Sequence, residues 1–422
     1  MLLLRNVNLP DGRHGLDVLV QQGRIAAVGP RLPAPAGVEC LDAQGQLLSP
    51  PFVDAHFHLD SALTHGQPRV NHSGTLLEGI ALWGELKPSL THEAVVERAL
   101  RYCDLAVAQG VLAIRSHVDV CDPRLLAVRA LLEVRERVRP YLDLQLVAFP
   151  QDGLLRHPGT LGQLKQALDL GVDLIGGIPH HERCYAEGTQ SIRILCELAA
   201  ERGVGMDLHC DETDDPNSRH VETLAAETLR LGLQGRVTAS HLCSLHSMDN
   251  AYAARLIGLM AEAQLSVVAN PLINILLQGR YDSYPKRRGM TRVPELLAAG
   301  VPVAFGQDCV LDPWYPLGSA DLLEVAHMGL HVAQLSSQAD MRACFEAVTR
   351  TPAQMLGRTV QSWQPGAPAD FVLLQARDPI EAIRTRALRL LVLRGGQVLS
   401  RCEPLRPRLN LPGRPALLQL AP

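Results

Sequence analysis

Lysine is rare in this sequence: Lys87, Lys165 and Lys286 are the only three, and arginine supplies the other basic residues. Basic and acidic side chains nearly balance, with 40 Lys and Arg against 44 Asp and Glu and a formal net charge of −4. Proteins that bind nucleic acids need a concentrated positive surface to neutralise phosphates. We therefore expect no nucleic-acid partner.

Long apolar runs are also missing. No run approaches the length of a transmembrane helix, and the first residues lack the basic lead and apolar stretch of a signal peptide. The ten cysteines form no Cys-x-x-Cys pair and no regular spacing, which is typical of reduced thiols in a cytosolic chain. We expect a soluble, cytoplasmic protein with no membrane partner.

Nucleotide-binding loops are absent as well, because no Gly-x-Gly-x-x-Gly or P-loop pattern follows a candidate strand. The chain has 422 residues, 47% of them hydrophobic, enough for one large domain with an appendage or for two domains. Both chain ends consist of short apolar runs separated by turn residues, which is typical of strands. They predict a small β-sandwich domain built from residues 1–50 and 365–422.

Between those ends, residues 51–364 alternate short apolar runs with amphipathic helical segments. The runs are Val53–His58, Val111–Val118, Leu142–Phe149, Val172–Ile178, Gly205–His209, Arg236–His241, Leu265–Asn270 and Pro302–Asp308. About eight such alternations predict an α/β fold of the (β/α)₈ TIM-barrel type, whose active site lies at the C-terminal strand ends. A doubly wound open sheet is the alternative, but it has no Gly-rich loop to support it.

Two histidines, His56 and His58, end the first predicted barrel strand. Side chains two residues apart on a strand share a face, so both imidazoles can reach one divalent metal. An isolated pair would more simply be polar residues on a solvated face. Because His209 and Asp308 also stand at predicted strand ends, which a barrel gathers in space, we favour a metal site. These four ligands suit Zn²⁺ or Fe²⁺, with a position left for water.

Candidate acid and base groups accompany this ligand set. Glu212 follows His209 by three residues, where it can move a proton without occupying the metal. His241 closes the sixth predicted strand and can hydrogen-bond a nucleophile whose proton Asp308 accepts. A bound metal lowers the pKa of its water from about 15.7 to near 7. We therefore predict hydrolysis by a metal-activated hydroxide.

The combination of His-x-His, His-Cys-Asp-Glu, Ser-His and Asp at strand ends resembles the amidohydrolase superfamily, and within it the bacterial cytosine deaminases. Other stretches extend the resemblance over nearly the whole chain: Ser73–Leu76, His117–Val120, Val147–Gln151, Val267–Leu272, Tyr284–Gly289 and Asp312–Gly318. The resemblance implies a mononuclear site with the four ligands above and with His241 orienting the hydroxide. Binuclear relatives have a carboxylated lysine at strand 4, and Val172–Ile178 contains no lysine.

The same resemblance implies how a substrate is held. Glu212 would protonate the ring nitrogen beside the carbon under attack, and Gln151 would read the pyrimidine amide edge. Leu76 and Trp314 would pack against the ring. Trp314 is alternatively an ordinary core residue, but its neighbours are typical of a loop over the barrel mouth, which favours the substrate role.

One departure from the cytosine deaminase pattern lies after the ligand Asp308. A second aspartate is expected at the next position, and this sequence has Cys309 instead. A carboxylate beside the ring would resist a 5-methyl group, which desolvates the charge and offers no hydrogen bond, whereas cysteine behaves largely as a small hydrophobe. Cys309 therefore predicts that 5-methylcytosine is deaminated at least as well as cytosine.

The sequence thus predicts a hydrolytic deaminase of free pyrimidine bases that contains one divalent metal ion, Zn or Fe. Attack at C4 releases ammonia and converts 5-methylcytosine to thymine and cytosine to uracil. One alternative is a hydrolase of another amino-heterocycle, such as isocytosine or a triazine amine. A second is a non-catalytic metal-binding or pyrimidine-binding protein, which would be expected to lose a ligand or Glu212. Barrels of this type often assemble, so a homo-oligomer is compatible with the sequence.

Overall fold

The computed structural model describes residues 1–417. Its strands are β1 Leu2–Asn8, β2 Leu16–Gln21, β3 Arg24–Gly29, β4 Glu39–Ser49, β5 Phe52–Phe57, β6 Val111–Asp119, β7 Asp143–Phe149, β8 Leu174–Ile175, β9 Gly205–Cys210, β10 Val237–His241, β11 Ser266–Ala269, β12 Val303–Phe305, β13 Phe371–Leu374, β14 Arg389–Arg394 and β15 Gln397–Arg401. Its α-helices are α1 Leu76–Leu86, α2 His92–Ala108, α3 Leu126–Val138, α4 Thr160–Asp169, α5 Tyr185–Arg202, α6 His220–Leu231, α7 Asn250–Glu262, α8 Pro271–Leu277, α9 Val293–Ala298, α10 Leu322–Ala333, α11 Gln338–Glu346, α12 Arg350–Met355 and α13 Pro379–Thr385.

The central sheet contains eight strands, β5 to β12, each hydrogen-bonded in parallel to the next. The sheet closes where the chain beyond β12 meets β5. The Asp308 amide donates to the His56 carbonyl at 2.8 Å, and the His58 amide donates to the Asp308 carbonyl at 3.1 Å. The predicted (β/α)₈ barrel is confirmed, and its closure brings the first and last strands together.

Burial on both faces explains why the barrel strands read as continuous apolar runs. Every residue of β6 is buried, as is every residue of β5. Parallel strands covered by helices outside and by side chains inside lose the alternation of a half-exposed strand. The fourth barrel strand is shorter than predicted, Leu174–Ile175, because Gly176 and Gly177 follow it and glycine weakens a strand.

The two chain ends form one continuous seven-stranded sheet in the order β15-β14-β13-β4-β1-β2-β3. Its far edge curls back, since the Ile25 amide donates to the Ala367 carbonyl at 2.8 Å and the Ala369 amide donates to the Gly23 carbonyl at 3.0 Å. The curled sheet encloses a second apolar core that includes Leu4, Val18 and Phe371. Both chain ends therefore build the predicted small β-structure, while the domain boundaries at 50/51 and 364/365 stay a prediction.

Within residues 1–417, no helix has the length and apolar character needed to span a bilayer.

Candidate active site

The predicted site residues converge at the C-terminal end of the barrel, around a cavity of about 330 Å³. All of them except His56 line this cavity, and Ile178, Ile273 and Leu277 complete its wall. His56 is fully buried, with its Nε2 atom 3.5 Å from Asp308 Oδ1. Barrel closure thus gathers side chains that are up to about 250 positions apart in the sequence.

The four predicted metal ligands lie within coordinating distance of one another. The Nε2 atoms of His58 and His209 are 3.0 Å apart, and Asp308 Oδ1 is 3.5 Å from His58 Nε2. Ligand atoms of His56, His58 and His209 form a buried group within 4.8 Å. Burial lowers the pKa of each of these imidazoles well below its usual value. Neutral imidazoles beside a carboxylate are the donor set that Zn²⁺ and Fe²⁺ prefer.

Hydrogen bonding decides which nitrogen of His56 is available to a metal. Ser240 donates its hydroxyl proton to Asp207 Oδ1 at 2.7 Å, and Ser240 Oγ lies 3.0 Å from His56 Nδ1. Because that hydroxyl proton is committed to Asp207, the Ser240 oxygen accepts from His56 Nδ1–H. His56 Nε2 keeps its lone pair, is buried and has no hydrogen-bond partner in the described chain. This orphaned lone pair fits a divalent metal.

A second buried cluster, His56, His117 and Asp207, lies deeper in the barrel. Arg115 donates to Asp207 Oδ2 at 2.8 Å, and Ser240 occupies the other carboxylate oxygen. The guanidinium already neutralises Asp207, so this cluster suits a supporting network better than a second cation. His117 packs against His56 with ring centroids 4.2 Å apart, which matches an orienting residue.

The two carboxylate oxygens of Asp308 face different groups. Oδ1 lies 3.5 Å from the Nε2 atoms of His56 and His58, while Oδ2 lies 3.9 Å from His241 Nε2. Both His241 and Asp308 have positive φ, 71° and 66°, a strained backbone for such side chains that clusters at functional sites. One oxygen can therefore bind a metal while the other serves the reacting groups.

Glu212 is buried in the cavity wall, with Oε1 3.4 Å from His241 Nδ1. Burial, followed by the negative charge of Asp308, raises the pKa of Glu212 well above its usual value. A buried carboxyl group with a raised pKa is suited to donate a proton to a substrate nitrogen.

The substrate-facing candidates surround this centre. Gln151 follows β7, and its side chain lines the cavity. Leu76 is the first residue of α1, and Trp314 packs against that helix at Gly79. Cys309 is 4% exposed, and burial raises the pKa of its thiol well above the usual value. Cys309 is therefore a neutral, small wall residue.

A larger chamber of about 1190 Å³ adjoins the cavity and shares Leu76, Glu212 and Leu277 with it. Its outer wall includes Arg280 and Asp215. The two cavities therefore share part of their walls.

Some residues of the site were not assigned a role from the sequence. Ile178, Ile273 and Leu277 are apolar and carry no local signal. Asn270 and Asn274, which contact His241, lie four positions apart where β11 turns into α8. That i,i+4 spacing puts both on one helix face and could have marked them as partners.

A closed barrel that gathers buried imidazoles, a carboxylate and a buried carboxyl group of raised pKa at its mouth contains the groups of a metal-dependent hydrolase. The amidohydrolase family profile matches residues 39–399, and the chain belongs to the amidohydrolase family.

Three relatives place the chain within that family. A 5-methylcytosine deaminase from Klebsiella pneumoniae, solved with phosphonocytosine, is 40% identical with a TM-score of 0.91, over 96% of this chain and 99% of that one. An N-isopropylammelide isopropylaminohydrolase from Burkholderia multivorans is 31% identical with a TM-score of 0.82, over 95% and 98%. A pterin deaminase from Rhizobium rhizogenes is 33% identical over 93% of this chain and 90% of its own. The predicted resemblance is confirmed.

Proposed function

We propose that this protein is a hydrolytic deaminase of free pyrimidine bases that converts 5-methylcytosine to thymine and cytosine to uracil. The observation that carries the proposal is the buried Glu212 carboxyl, which faces a small cavity beside the cluster of buried imidazoles and whose pKa is raised well above its usual value by burial. An amino-pyrimidine needs a proton on its ring nitrogen as water attacks the neighbouring carbon, and this group can supply it. The named activity of the Klebsiella pneumoniae relative supports this substrate class.

His56, His58, His209 and Asp308 are the proposed ligands of one divalent ion, zinc or iron. When bound, such an ion supplies a Lewis acid that makes water nucleophilic near neutral pH. The orphaned His56 Nε2 and the 3.0 Å approach of the His58 and His209 Nε2 atoms support this assignment.

The proposed proton transfers use groups of this chain. Asp308 Oδ2, on the His241 side of the carboxylate, accepts a proton from the attacking water. Glu212 donates a proton to N3, which lets the C4 carbon become tetrahedral. The amino group then leaves as ammonia after taking up the proton held by Asp308. The new C4 hydroxyl becomes a carbonyl as it returns its proton to Glu212, so one water is consumed, one ammonia is released and both carboxyl groups regain their starting state. Gln151 holds the amide edge of the ring, because its side-chain oxygen can accept a hydrogen bond and its NH₂ group can donate one.

Cys309 is the residue proposed to admit a 5-methyl group. It lines the cavity together with the apolar Ile178, Ile273 and Leu277. Its thiol remains uncharged, so a methyl group beside it desolvates no carboxylate. A single methyl group in such a pocket changes the transition-state free energy by only about 1–3 kcal/mol. We therefore expect a preference for 5-methylcytosine over cytosine, with both turned over.

A second candidate substrate class, fused amino-pyrimidines such as pterins, is favoured by the outer chamber. The outer chamber shares Leu76 and Leu277 with the inner cavity. The second ring of a pterin could extend into that chamber while its amino-pyrimidine ring stays inside. The name of the Rhizobium rhizogenes relative supports this class.

Ammonia release from cytosine, 5-methylcytosine, pterin and ammelide, measured side by side with zinc-loaded protein, tests the proposal. We expect turnover of both pyrimidines and loss of activity in Glu212→Gln, which keeps the shape but cannot donate an acidic proton. Turnover of pterin alone would favour the second candidate. Absence of ammonia from all four would contradict both.

The first testable prediction concerns Cys309→Asp. The new carboxylate should lower kcat/KM for 5-methylcytosine relative to cytosine by about 10- to 200-fold, because a methyl group would desolvate its charge. Cys309→Ser, which adds no charge at the same size, is the matched control and should shift the ratio less. An unchanged ratio in Cys309→Asp would refute the role of this position.

A further inference from the structure

The two ring nitrogens of His241 face different surroundings. On the Nδ1 side lie the amide nitrogen of Asn274 at 3.0 Å, that of Asn270 at 3.3 Å and Glu212 Oε1 at 3.4 Å. On the Nε2 side, Asp308 Oδ2 lies at 3.9 Å. As a neutral imidazole, His241 carries one ring proton. Its partners decide which nitrogen holds that proton.

The orientation of the Asn274 amide is set by its own backbone neighbourhood. Asn274 is fully buried, and its Oδ1 atom accepts the Asn270 backbone N–H at 3.1 Å. With the oxygen engaged there, the NH₂ end faces His241 Nδ1 as a donor. The Asn270 amide nitrogen lies 3.3 Å from Nδ1 and 3.4 Å from Nε2, so it does not distinguish the two nitrogens. Asn274 does.

We propose that Asn274 is a positioning residue that holds His241 in the tautomer with its proton on Nε2. An Nδ1 that accepts from Asn274 cannot carry the proton of a neutral imidazole, so Nε2 carries it. The Nε2–H then points to the side of Asp308 where the reacting groups lie.

This tautomer gives His241 and Asp308 different roles in the reaction. That consequence rests on the proposed function. A His241 that presents Nε2–H is a hydrogen-bond donor to the reacting oxygen and cannot remove its proton. The proton acceptor is then Asp308 alone. His241 assists by stabilising negative charge as it develops, as a fixed donor does in a buried site.

Long-range ¹H–¹⁵N correlation spectra of the zinc-loaded protein, labelled with ¹⁵N-histidine, test the tautomer directly. The His241 signals are assigned by their loss in His241→Gln. We expect an unprotonated Nδ1 and a protonated Nε2. The opposite pattern in the wild-type protein overturns the proposal, and this result needs neither a substrate nor a variant of Asn274.

Asn274→Asp tests the cause of the tautomer. The carboxylate can still accept the Asn270 N–H but can no longer donate to Nδ1, so Nδ1 should become protonated in the spectrum. We expect kcat to fall by about 10- to 100-fold with KM little changed, the range found for residues that orient site groups. Asn250→Asp, an exposed change on α7, is the matched control and should leave both readouts unaltered.

These outcomes separate the inference from the proposed function. If no substrate is deaminated while Nε2 is protonated in the wild type and Nδ1 in Asn274→Asp, the proposed function fails and the role of Asn274 stands. If deamination occurs and Nδ1 stays unprotonated in Asn274→Asp, the role of Asn274 fails and the function stands.

Discussion

At the scale of single residues, the candidate site depends on hydrogen bonds that lie beneath the expected ligands. Ser240 donates to Asp207 and accepts from His56, and Arg115 donates to the other carboxylate oxygen of Asp207. Each of these residues is 2% exposed or less. Such partners fix the tautomer of a ligand and raise its basicity. The residues beneath the cavity therefore influence the tautomer and basicity of the ligands, in addition to the residues that line it.

Ser240→Ala should weaken metal binding. Without the hydroxyl, His56 Nδ1–H loses its acceptor and either tautomer becomes accessible, so we expect about 10- to 100-fold lower zinc affinity. Competition with a chromogenic chelator measures this affinity. Ser191→Ala removes another buried serine hydroxyl, in α5, that donates to the Gly188 carbonyl, and it should retain wild-type affinity. Equal affinities for the two variants would contradict the role of Ser240.

At the scale of elements, α1 and the loop after β12 meet at the cavity. The loop is held by Asp312, whose carboxylate accepts the amides of Trp314 and Tyr315, both at 2.9 Å. Trp314 then rests on the helix at Gly79, where a Cβ atom would lie 2.2 Å from its ring. Because Gly79 has no side chain, the Trp314 ring can pack against α1 and form the aromatic part of the cavity wall.

Gly79→Ala should displace Trp314 or α1, and we expect a raised KM together with a loss of about 1–3 kcal/mol in the free energy of unfolding. Steady-state kinetics and urea unfolding measure the two effects. Gly84 lies on the same helix with nothing within 4 Å of an added Cβ, so Gly84→Ala should keep the KM and add slight stability through helix propensity. A wild-type KM and stability in Gly79→Ala would refute the packing argument.

At the scale of the whole molecule, the site joins the first, fifth and last barrel strands. The proposed ligands come from β5, from β9 and from the segment that closes the barrel after β12. A metal that binds only the folded chain stabilises it by about 2.7 kcal/mol at a hundred times its dissociation constant. Metal occupancy should therefore stabilise the closed barrel as a unit.

Removal of metal by a chelator should lower the midpoint of thermal unfolding, and added zinc should restore it. Scanning calorimetry of metal-free and zinc-loaded protein measures the difference. His56→Ala removes a proposed ligand and should abolish the response to zinc. An identical midpoint with and without metal in the wild-type protein would argue against the site.

Some features could be predicted from the sequence because they depend only on the pattern of neighbouring residues. The alternation of apolar runs and amphipathic segments predicted the barrel. The spacing of His56 and His58 predicted that both side chains lie on one face at the end of a strand, because side chains two residues apart on a strand point the same way. Cys309 could be noticed because the resemblance to the cytosine deaminases implies an aspartate at that position. The assigned roles of these residues stay predictions, while it is observed that His58 and Cys309 line one cavity and that His56 is buried beside Asp308.

Only the tertiary structure decided the rest, because those features depend on contacts between distant segments. Nothing local to Asn274 indicates that its nitrogen faces His241, and nothing local to Gly79 indicates that Trp314 fills the space beside it. The two oxygens of Asp308 acquire different partners only when the barrel closes. Sequence determined which groups reach the barrel mouth, and three-dimensional packing decided which atom of each group faces the reaction.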